Sequence, residues 1–74
     1  MKKHYYKRSE LVLYLYDAML NGGITMRELI ERTEVSVGTA YSLIEDIELY
    51  IADFYRYDLE LLKFKGKYTI KIKK

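Results

Sequence analysis

Side chains that could perform catalysis are nearly missing from this sequence. The chain has one histidine, His4, and no cysteine, so neither a thiol nucleophile nor a thiolate metal site can be assembled. Three carboxylates, Glu45, Asp46 and Glu48, are close together in sequence, but on one helix they point to different faces. We therefore expect no enzyme and no metal site, and the sequence indicates no cofactor and no small-molecule ligand.

A run of small side chains, VGTAYS at positions 37–42, offers a different chemistry. The hydroxyls of Thr39, Tyr41 and Ser42 can hydrogen-bond to base edges or phosphates, and threonine and valine methyls can contact a thymine methyl. Glu45 could accept a hydrogen bond from a cytosine amino group. Gly38 is either a weak point in a helix, costing up to ~1 kcal/mol relative to alanine, or a place where a partner approaches closely.

The charge of the chain is segregated along the sequence. Residues 9–58 hold ten acidic side chains against three arginines, a net charge of −7, whereas the whole chain has a net charge of +2. The basic residues therefore lie at the two ends, in residues 1–8 and 59–74. This asymmetry suggests an oriented interaction with a polyanion.

The first two thirds of the chain show helical periodicity. In SELVLYLYDAML, the residues Leu11, Leu15, Ala18 and Met19 recur at helical spacing with Tyr14 beside them. Ser9 is the expected N-cap of this helix. The segment Asn21-Gly22-Gly23 is its expected end, because glycines tolerate the left-handed backbone of a helix end. The segment is not a phosphate loop, since it lacks the following Gly-Lys-Ser/Thr.

Two further helices are predicted by capping patterns. Thr25-Met26-Arg27-Glu28 matches a capping box and begins a helix of about two turns that ends near Thr33, with apolar Met26, Leu29 and Ile30. Ser36 is the next N-cap, and Val35 before it could pack on the core. A helix from Val37 to about Asp53 is then predicted by an apolar stripe at spacings of three and four, formed by Ala40, Leu43, Ile44, Ile47, Ile51 and Phe54.

The last part of the chain changes to the alternation of strands. Residues 59–64 and 67–72 both alternate, and Lys65-Gly66 lies between them, which predicts a β-hairpin with a tight turn. We therefore expect one domain, with a flexible basic arm at 1–8, helices within 9–58 and the hairpin at 59–74. No apolar run approaches the ~20 residues of a membrane helix, so we expect a cytoplasmic protein.

The order of these elements, with their motifs, resembles a known family. The run from Thr25 to Ile47, TMRELIERTEVSVGTAYSLIEDI, is similar to the helix-turn-helix of bacterial transcription regulators of the DeoR, BglG and Mga kind. Val35-Ser36 and Asp46-Ile47 match the turn and the end of the second helix in these regulators, and LKFKGKYTIKI resembles their wing. The resemblance implies an α+β fold, a three-helix winged helix-turn-helix with a C-terminal β-hairpin wing.

Three positions depart from the pattern of these regulators. Ile30 stands where a small residue is usual, and Glu34 stands where glycine usually adopts a left-handed backbone, so the glutamate should cost some stability. The second helix of the motif also lacks the usual lysine or arginine.

The resemblance implies sequence-specific binding of double-stranded DNA by a bacterial or phage transcription regulator, with helix 37–53 in the major groove. The expected base contacts are Val37, Gly38, Thr39, Tyr41, Ser42 and Glu45. Because phosphate contacts dominate affinity, the basic wing and amino terminus should supply them, and the expected residues are Lys7, Arg8, Thr25, Arg27, Arg32, Lys63, Lys65, Gly66 and Lys67. Three other lysines are interpreted as guards against edge-to-edge aggregation of the sheet, namely Lys71, Lys73 and Lys74.

Two further hypotheses concern protein partners. The chain has nine tyrosines, and the aromatic segment from Tyr50 to Tyr55 suggests a subunit contact in a homodimer. The alternative to DNA binding is a winged-helix protein-interaction module, in which the acidic, tyrosine-bearing face of the third helix docks a protein. The acids of that segment would repel phosphates within a Debye length of ~8 Å.

Overall fold

A computed structural model describes residues 6–73, and these residues form three helices and a three-stranded antiparallel sheet. The elements in chain order are α1 (Arg8–Leu20), β1 (Ile24–Thr25), α2 (Met26–Thr33), α3 (Val37–Asp53), β2 (Leu59–Phe64) and β3 (Lys67–Ile72). The prediction of a small α+β domain with three helices and a C-terminal hairpin is confirmed. Within the described residues, no helix is both long and apolar enough to cross a membrane.

Helix α1 begins earlier than predicted, and Ser9 is not its N-cap. The N-cap is Lys7, whose backbone N–H donates a 2.8 Å hydrogen bond to Glu10 Oε1. A lysine side chain has no acceptor, so the carboxylate of Glu10 alone satisfies the start of the helix. Lys7 and Arg8, which were assigned to the arm, therefore belong to the cap and the first turn of α1. The rest of the predicted arm, residues 1–5, lies outside the described residues.

The capping patterns of α2 and α3 are confirmed. Thr25 and Glu28 form the capping box, and Ser36 Oγ accepts a hydrogen bond from the backbone N–H of Thr39. The prediction for Phe54 was wrong, because α3 ends at Asp53 and Phe54 is its C-cap, 69% exposed to solvent. Once the helical spacing stops at Asp53, Phe54 no longer follows the apolar stripe.

The hairpin forms as predicted, with strands β2 and β3 paired from Leu59↔Ile72 to Phe64↔Lys67. Strand β1 was not predicted. It pairs Ile24 with Tyr68 and Thr25 with Lys67, which places β3 in the middle of the sheet in the order β1-β3-β2. A strand of only two residues cannot display alternation, so the sequence carries no signal for it.

The hydrophobic core lies between α1, α3 and the sheet, with α2 packed against α3. All three helices and the three strands contribute residues to it, which are Leu11, Leu15, Met19, Ile24, Leu29, Ala40, Leu43, Ile44, Ile47, Leu59 and Ile70. Ile30, which stands where the bacterial regulators usually have a small residue, is partly buried and packs against this core. Since the four buried residues of α3 occupy one stripe, the opposite stripe of α3 is presented to solvent.

Candidate nucleic-acid interface

Side-chain caps fix the start of α2 and the start of α3. Thr25 Oγ1 accepts a 3.1 Å hydrogen bond from the Glu28 backbone N–H, and Glu28 Oε1 accepts a 2.9 Å bond from the Thr25 N–H. Hydrogen bonding by this backbone N–H lowers the pKa of the Glu28 carboxyl below its ordinary value. The hydroxyl of Thr25 is therefore occupied by the cap, although it was predicted to contact phosphate.

The backbone reverses direction at Glu34, which is the C-cap of α2. Its φ of 58° and ψ of 30° are left-handed, as predicted, and this conformation is unfavourable for a residue with a Cβ. Ser36 then begins α3, and its Oγ also donates a 3.0 Å hydrogen bond to Thr39 Oγ1. The orientation of α3 relative to α2 is thus set by local hydrogen bonds on both sides of a strained residue.

The solvent-facing side of α3 contains the predicted base-contacting residues. Val37, Gly38, Tyr41 and Glu45 are exposed, while Thr39 and Ser42 are partly exposed. A Cβ built at Gly38 would have no atom within 4 Å, so packing within the described residues does not require a glycine there.

Arg8 is the feature of this surface that sequence reasoning misplaced. Its Nη2 donates a 2.7 Å hydrogen bond to Ser42 Oγ, and its Nε donates a 2.9 Å bond to Asp46 Oδ2. The same Nη2 lies 2.7 Å from Asp46 Oδ2, which makes this an ion pair. Arg8 is therefore attached to α3, on the edge of α3 that faces α1, and Ser42 already has a hydrogen-bonding partner.

The two arginines of α2 do not share a face of the helix. Arg32 Nη1 donates a 3.2 Å hydrogen bond to Tyr14 Oη on α1 and forms a 3.5 Å ion pair with Glu28. The hydrogen bond with Tyr14 raises the pKa of Arg32 above its ordinary value. Arg27 is exposed and lies about 140° around the helix from Arg32. The structure thus leaves Arg27 accessible at the start of α2 and directs Arg32 toward α1.

The hairpin turn places its basic residues on different faces. Lys65 and Gly66 have φ values of 51° and 79°, and two consecutive positive φ values are typical of a type I′ hairpin turn. Lys63 pairs across the ladder with Tyr68, and its Nζ lies 5.2 Å from the centroid of the Tyr68 ring. Because side chains alternate along a strand, Lys63 lies on the helix-facing side of the hairpin and Lys67 on the opposite side.

A groove separates the hairpin from α3. It is lined by Tyr41, Ile44, Glu45, Glu48, Leu61, Leu62, Lys63 and Tyr68. Within residues 6–73, neither Glu45 nor Glu48 has an ion-pair partner within 4.0 Å. Lys63 therefore lies beside the edge of α3 opposite to Arg8, in the same groove as these two carboxylates.

Most of the predicted contact residues lie on or beside this surface. Lys7 is exposed at the start of α1, and Lys65 is exposed at the hairpin tip, where its Nζ lies 5.4 Å from the centroid of the Phe64 ring. The residue that the prediction missed is Asp46. Its position beside core Ile47 gave no sign that it would hold Arg8, 38 residues away.

Comparison with protein-family models, curated proteins and solved structures finds no match for this chain. The geometry of the described residues and the charges on them are therefore the basis of the functional argument.

Proposed function

We propose that this chain is a winged helix-turn-helix domain that binds double-stranded DNA sequence-specifically, as a bacterial or phage transcription regulator or as the DNA-binding module of one. One observation carries the proposal: the exposed half of α3 lies between Arg8 on one edge and Lys63 on the other. A helix without its own basic residue thus has a cation on each side. This role places the protein in the cytoplasm.

The proposed mode of binding follows from which side chains are exposed. The amino-terminal half of α3 enters the major groove, where Val37 and Tyr41 contact base edges and Gly38 allows close approach. Lys65 at the tip of the hairpin and Arg27 at the start of α2 contact phosphates on either side. The amino-terminal Lys7 lies one residue before Arg8 and extends the same positive edge.

The experiment is fluorescence anisotropy with a random-sequence duplex over a series of salt concentrations. The logarithm of the affinity should fall linearly with the logarithm of the salt concentration, and Lys65→Ala should reduce the slope by ~1. Lys71→Ala is the matched control, because Lys71 is also an exposed lysine of the hairpin but pairs with Glu60, far from the turn. Undetectable binding at ~50 mM salt, or binding that does not depend on salt, would rule out the DNA role.

A second copy of the chain is the proposed protein partner. Tyr16 and Tyr50 line an apolar groove with Leu13, and the ring centroid of Phe54 lies 5.4 Å from that of Tyr50. Phe54, Tyr55 and Tyr57 are 69%, 71% and 76% exposed. Since each aromatic side chain can bury about 150–250 Å², these three leave roughly 300–500 Å² of accessible surface. That is about half of the ~800 Å² that each partner buries in a stable complex, and Leu13 adds to it.

The oligomeric state tests this partner. Sedimentation equilibrium should show a concentration-dependent dimer that Phe54→Ser weakens. Phe64→Ser is the matched control, because Phe64 is equally exposed, at 73%, but lies on the hairpin. Equal effects of the two substitutions, or a monomer at all concentrations, would exclude a dimer through this face.

The alternative function is a protein-interaction module, and the groove between α3 and the hairpin favours it. Tyr41, Leu61 and Leu62 give this groove apolar surface, and its two carboxylates, Glu45 and Glu48, outnumber its one basic residue, Lys63. A basic protein segment with apolar side chains would complement these features. Stoichiometric capture of such a protein, without any shift of duplex DNA, would support this function over DNA binding.

A further inference from the structure

Arg8 is attached to α3 by long-range contacts. Ser42 and Asp46 are 34 and 38 residues away in sequence, yet both oxygen atoms lie within 3 Å of the Arg8 guanidinium. The side chain of Arg8 nevertheless remains 51% exposed. The guanidinium is therefore held in place on α3 without being buried by it.

The contacts leave part of the guanidinium free for a ligand. A guanidinium has five N–H donors, and in the described part of the chain the hydrogen bonds of Arg8 involve only Nε and Nη2. Both N–H groups on Nη1 have no partner there. Because Asp46 already restrains the side chain, a ligand that binds to Nη1 loses less conformational entropy than it would with a mobile arginine.

The position of the guanidinium favours a base edge over a phosphate. Ser42 lies one helical turn after Gly38, so both residues lie on the same stripe of α3. Because Arg8 Nη2 lies 2.7 Å from Ser42 Oγ, the guanidinium lies beside this stripe in the amino-terminal half of α3. In the proposed binding mode the amino-terminal half of α3 enters the major groove, so a guanidinium held beside Ser42 is within reach of base edges. The preferred partners of an arginine in the major groove are O6 and N7 of guanine.

We propose that Arg8 is the guanine-reading residue of this surface, with Ser42 and Asp46 as the residues that position it. This inference rests on the proposed DNA binding and adds to it a specific contact. The arginine missing from the recognition helix is thus supplied by α1. The ion pair also neutralises Asp46, one of the three acids in this part of α3.

The experiment is selection of bound sequences from random duplexes, followed by affinity measurements on the selected site and on versions in which one guanine is replaced. The intact chain should select a guanine, and replacing it should weaken binding roughly 5- to 150-fold. For Arg8→Lys the same replacement should have little effect, because a lysine has a single ammonium group and cannot bind Ser42 and Asp46 through two nitrogens while a third nitrogen donates to a base. Asp46→Asn should give an intermediate loss of preference.

Arg56→Lys is the matched control. Arg56 also pairs with an aspartate, at 2.7 Å from Asp58, but it lies after α3 and away from its exposed amino-terminal half. This substitution should leave the preference for guanine unchanged. Circular dichroism and thermal unfolding of each variant will establish that it is folded before binding is measured.

The outcomes separate this inference from the proposed function. If the intact chain binds no duplex, both are wrong. If it binds, but Arg8→Lys and Arg8→Ala keep its sequence preference, only the inference is wrong. If Arg8→Ala weakens all sequences equally and reduces the salt slope by ~1, then Arg8 contacts a phosphate and the inference is overturned.

Discussion

Gly23 and Thr69 touch so closely that a Cβ at position 23 would lie 2.7 Å from Thr69 Oγ1, and it would also lie 2.9 Å from the Tyr68 carbonyl oxygen. This contact lies directly before β1 and brings it close to the middle strand β3. The glycine is therefore required by packing as well as by its φ of 94°.

Replacing Gly23 should destabilise the fold more than replacing its neighbour. Gly22 also has a positive φ, 106°, but a Cβ there would meet nothing within 4 Å. We expect Gly22→Ala to cost about 1–2 kcal/mol through backbone strain and Gly23→Ala to cost about 1–3 kcal/mol more through overpacking. Urea unfolding of the two variants measures the difference, and equal losses would contradict the role of the contact with β3.

Replacing Glu34 with glycine should have the opposite effect on stability. The left-handed backbone at Glu34 costs a non-glycine residue about 1–2 kcal/mol. A glycine also increases the conformational entropy of the unfolded chain, which favours unfolding by about 0.4–1 kcal/mol. Glu34→Gly should therefore stabilise the domain by roughly 0.5–1 kcal/mol, and Glu34→Ala should give no such gain. The midpoint of thermal unfolding measures both effects, and a loss of stability in Glu34→Gly would show that the glutamate side chain makes a compensating contact.

The parts of the structure that sequence could predict are those determined by local rules. The limits of α2 and α3 follow from Thr25, Glu28 and Ser36, whose side chains cap the backbone three residues away. The hairpin follows from alternation and from Lys65-Gly66. The left-handed backbone of Glu34 was expected from the resemblance to bacterial regulators, and it is also a local property.

The parts that sequence could not predict depend on tertiary contacts. Strand β1 forms because the backbone after Gly23 lies beside β3, and two residues carry no periodicity of their own. The start of α1 at Arg8 coincides with the contact between Arg8 and α3. No spacing rule connects Arg8 with Ser42 and Asp46, so the contact of Arg8 with these two residues was not predicted.

A substitution at Gly38 should change the stability of α3 and its binding to DNA in opposite directions. A Cβ at this position would have no neighbouring atom within 4 Å. Gly38→Ala should therefore stabilise the helix by about 0.5–1 kcal/mol. If α3 approaches a duplex closely, the same methyl group should weaken DNA binding. Unfolding and anisotropy measurements on one variant check both effects, and a variant that is more stable and binds DNA as tightly as before would exclude close approach at Gly38.

The capping box at the start of α2 should respond to pH. The pKa of Glu28 is lowered from 4.5, chiefly because its carboxylate accepts the Thr25 backbone N–H. A lowered pKa means that the stabilisation is complete above the unfolded-state pKa and is lost as the pH falls through the folded-state pKa. We therefore expect Glu28 to titrate below pH 4.5 in an NMR experiment.

A capping variant tests the cause of that shift. In Thr25→Ser the hydroxyl is retained, so the pKa of Glu28 should stay low, whereas in Thr25→Ala the helix start frays and the pKa should rise toward the ordinary value. Titration of the individual carboxyl is needed because Arg56 also lowers the pKa of Asp58, and global unfolding would combine the two. A Glu28 pKa that is unchanged in Thr25→Ala would show that the backbone N–H of residue 25 holds the carboxylate without help from the threonine hydroxyl.

Glu48 distinguishes the two proposed functions. It lies in the groove between α3 and the hairpin, near Lys63, and no basic side chain among residues 6–73 forms an ion pair with it. If DNA lies along α3, Glu48→Gln removes repulsion and should tighten binding to all duplexes several-fold at low salt, with less effect at high salt. If the groove holds a basic protein segment, the same substitution should weaken its capture.

Glu60→Gln is the matched control, because Glu60 is also exposed but pairs with Lys71 at the far end of the hairpin. Tighter DNA binding by Glu48→Gln alone supports the DNA role, and loss of the protein partner alone supports the alternative.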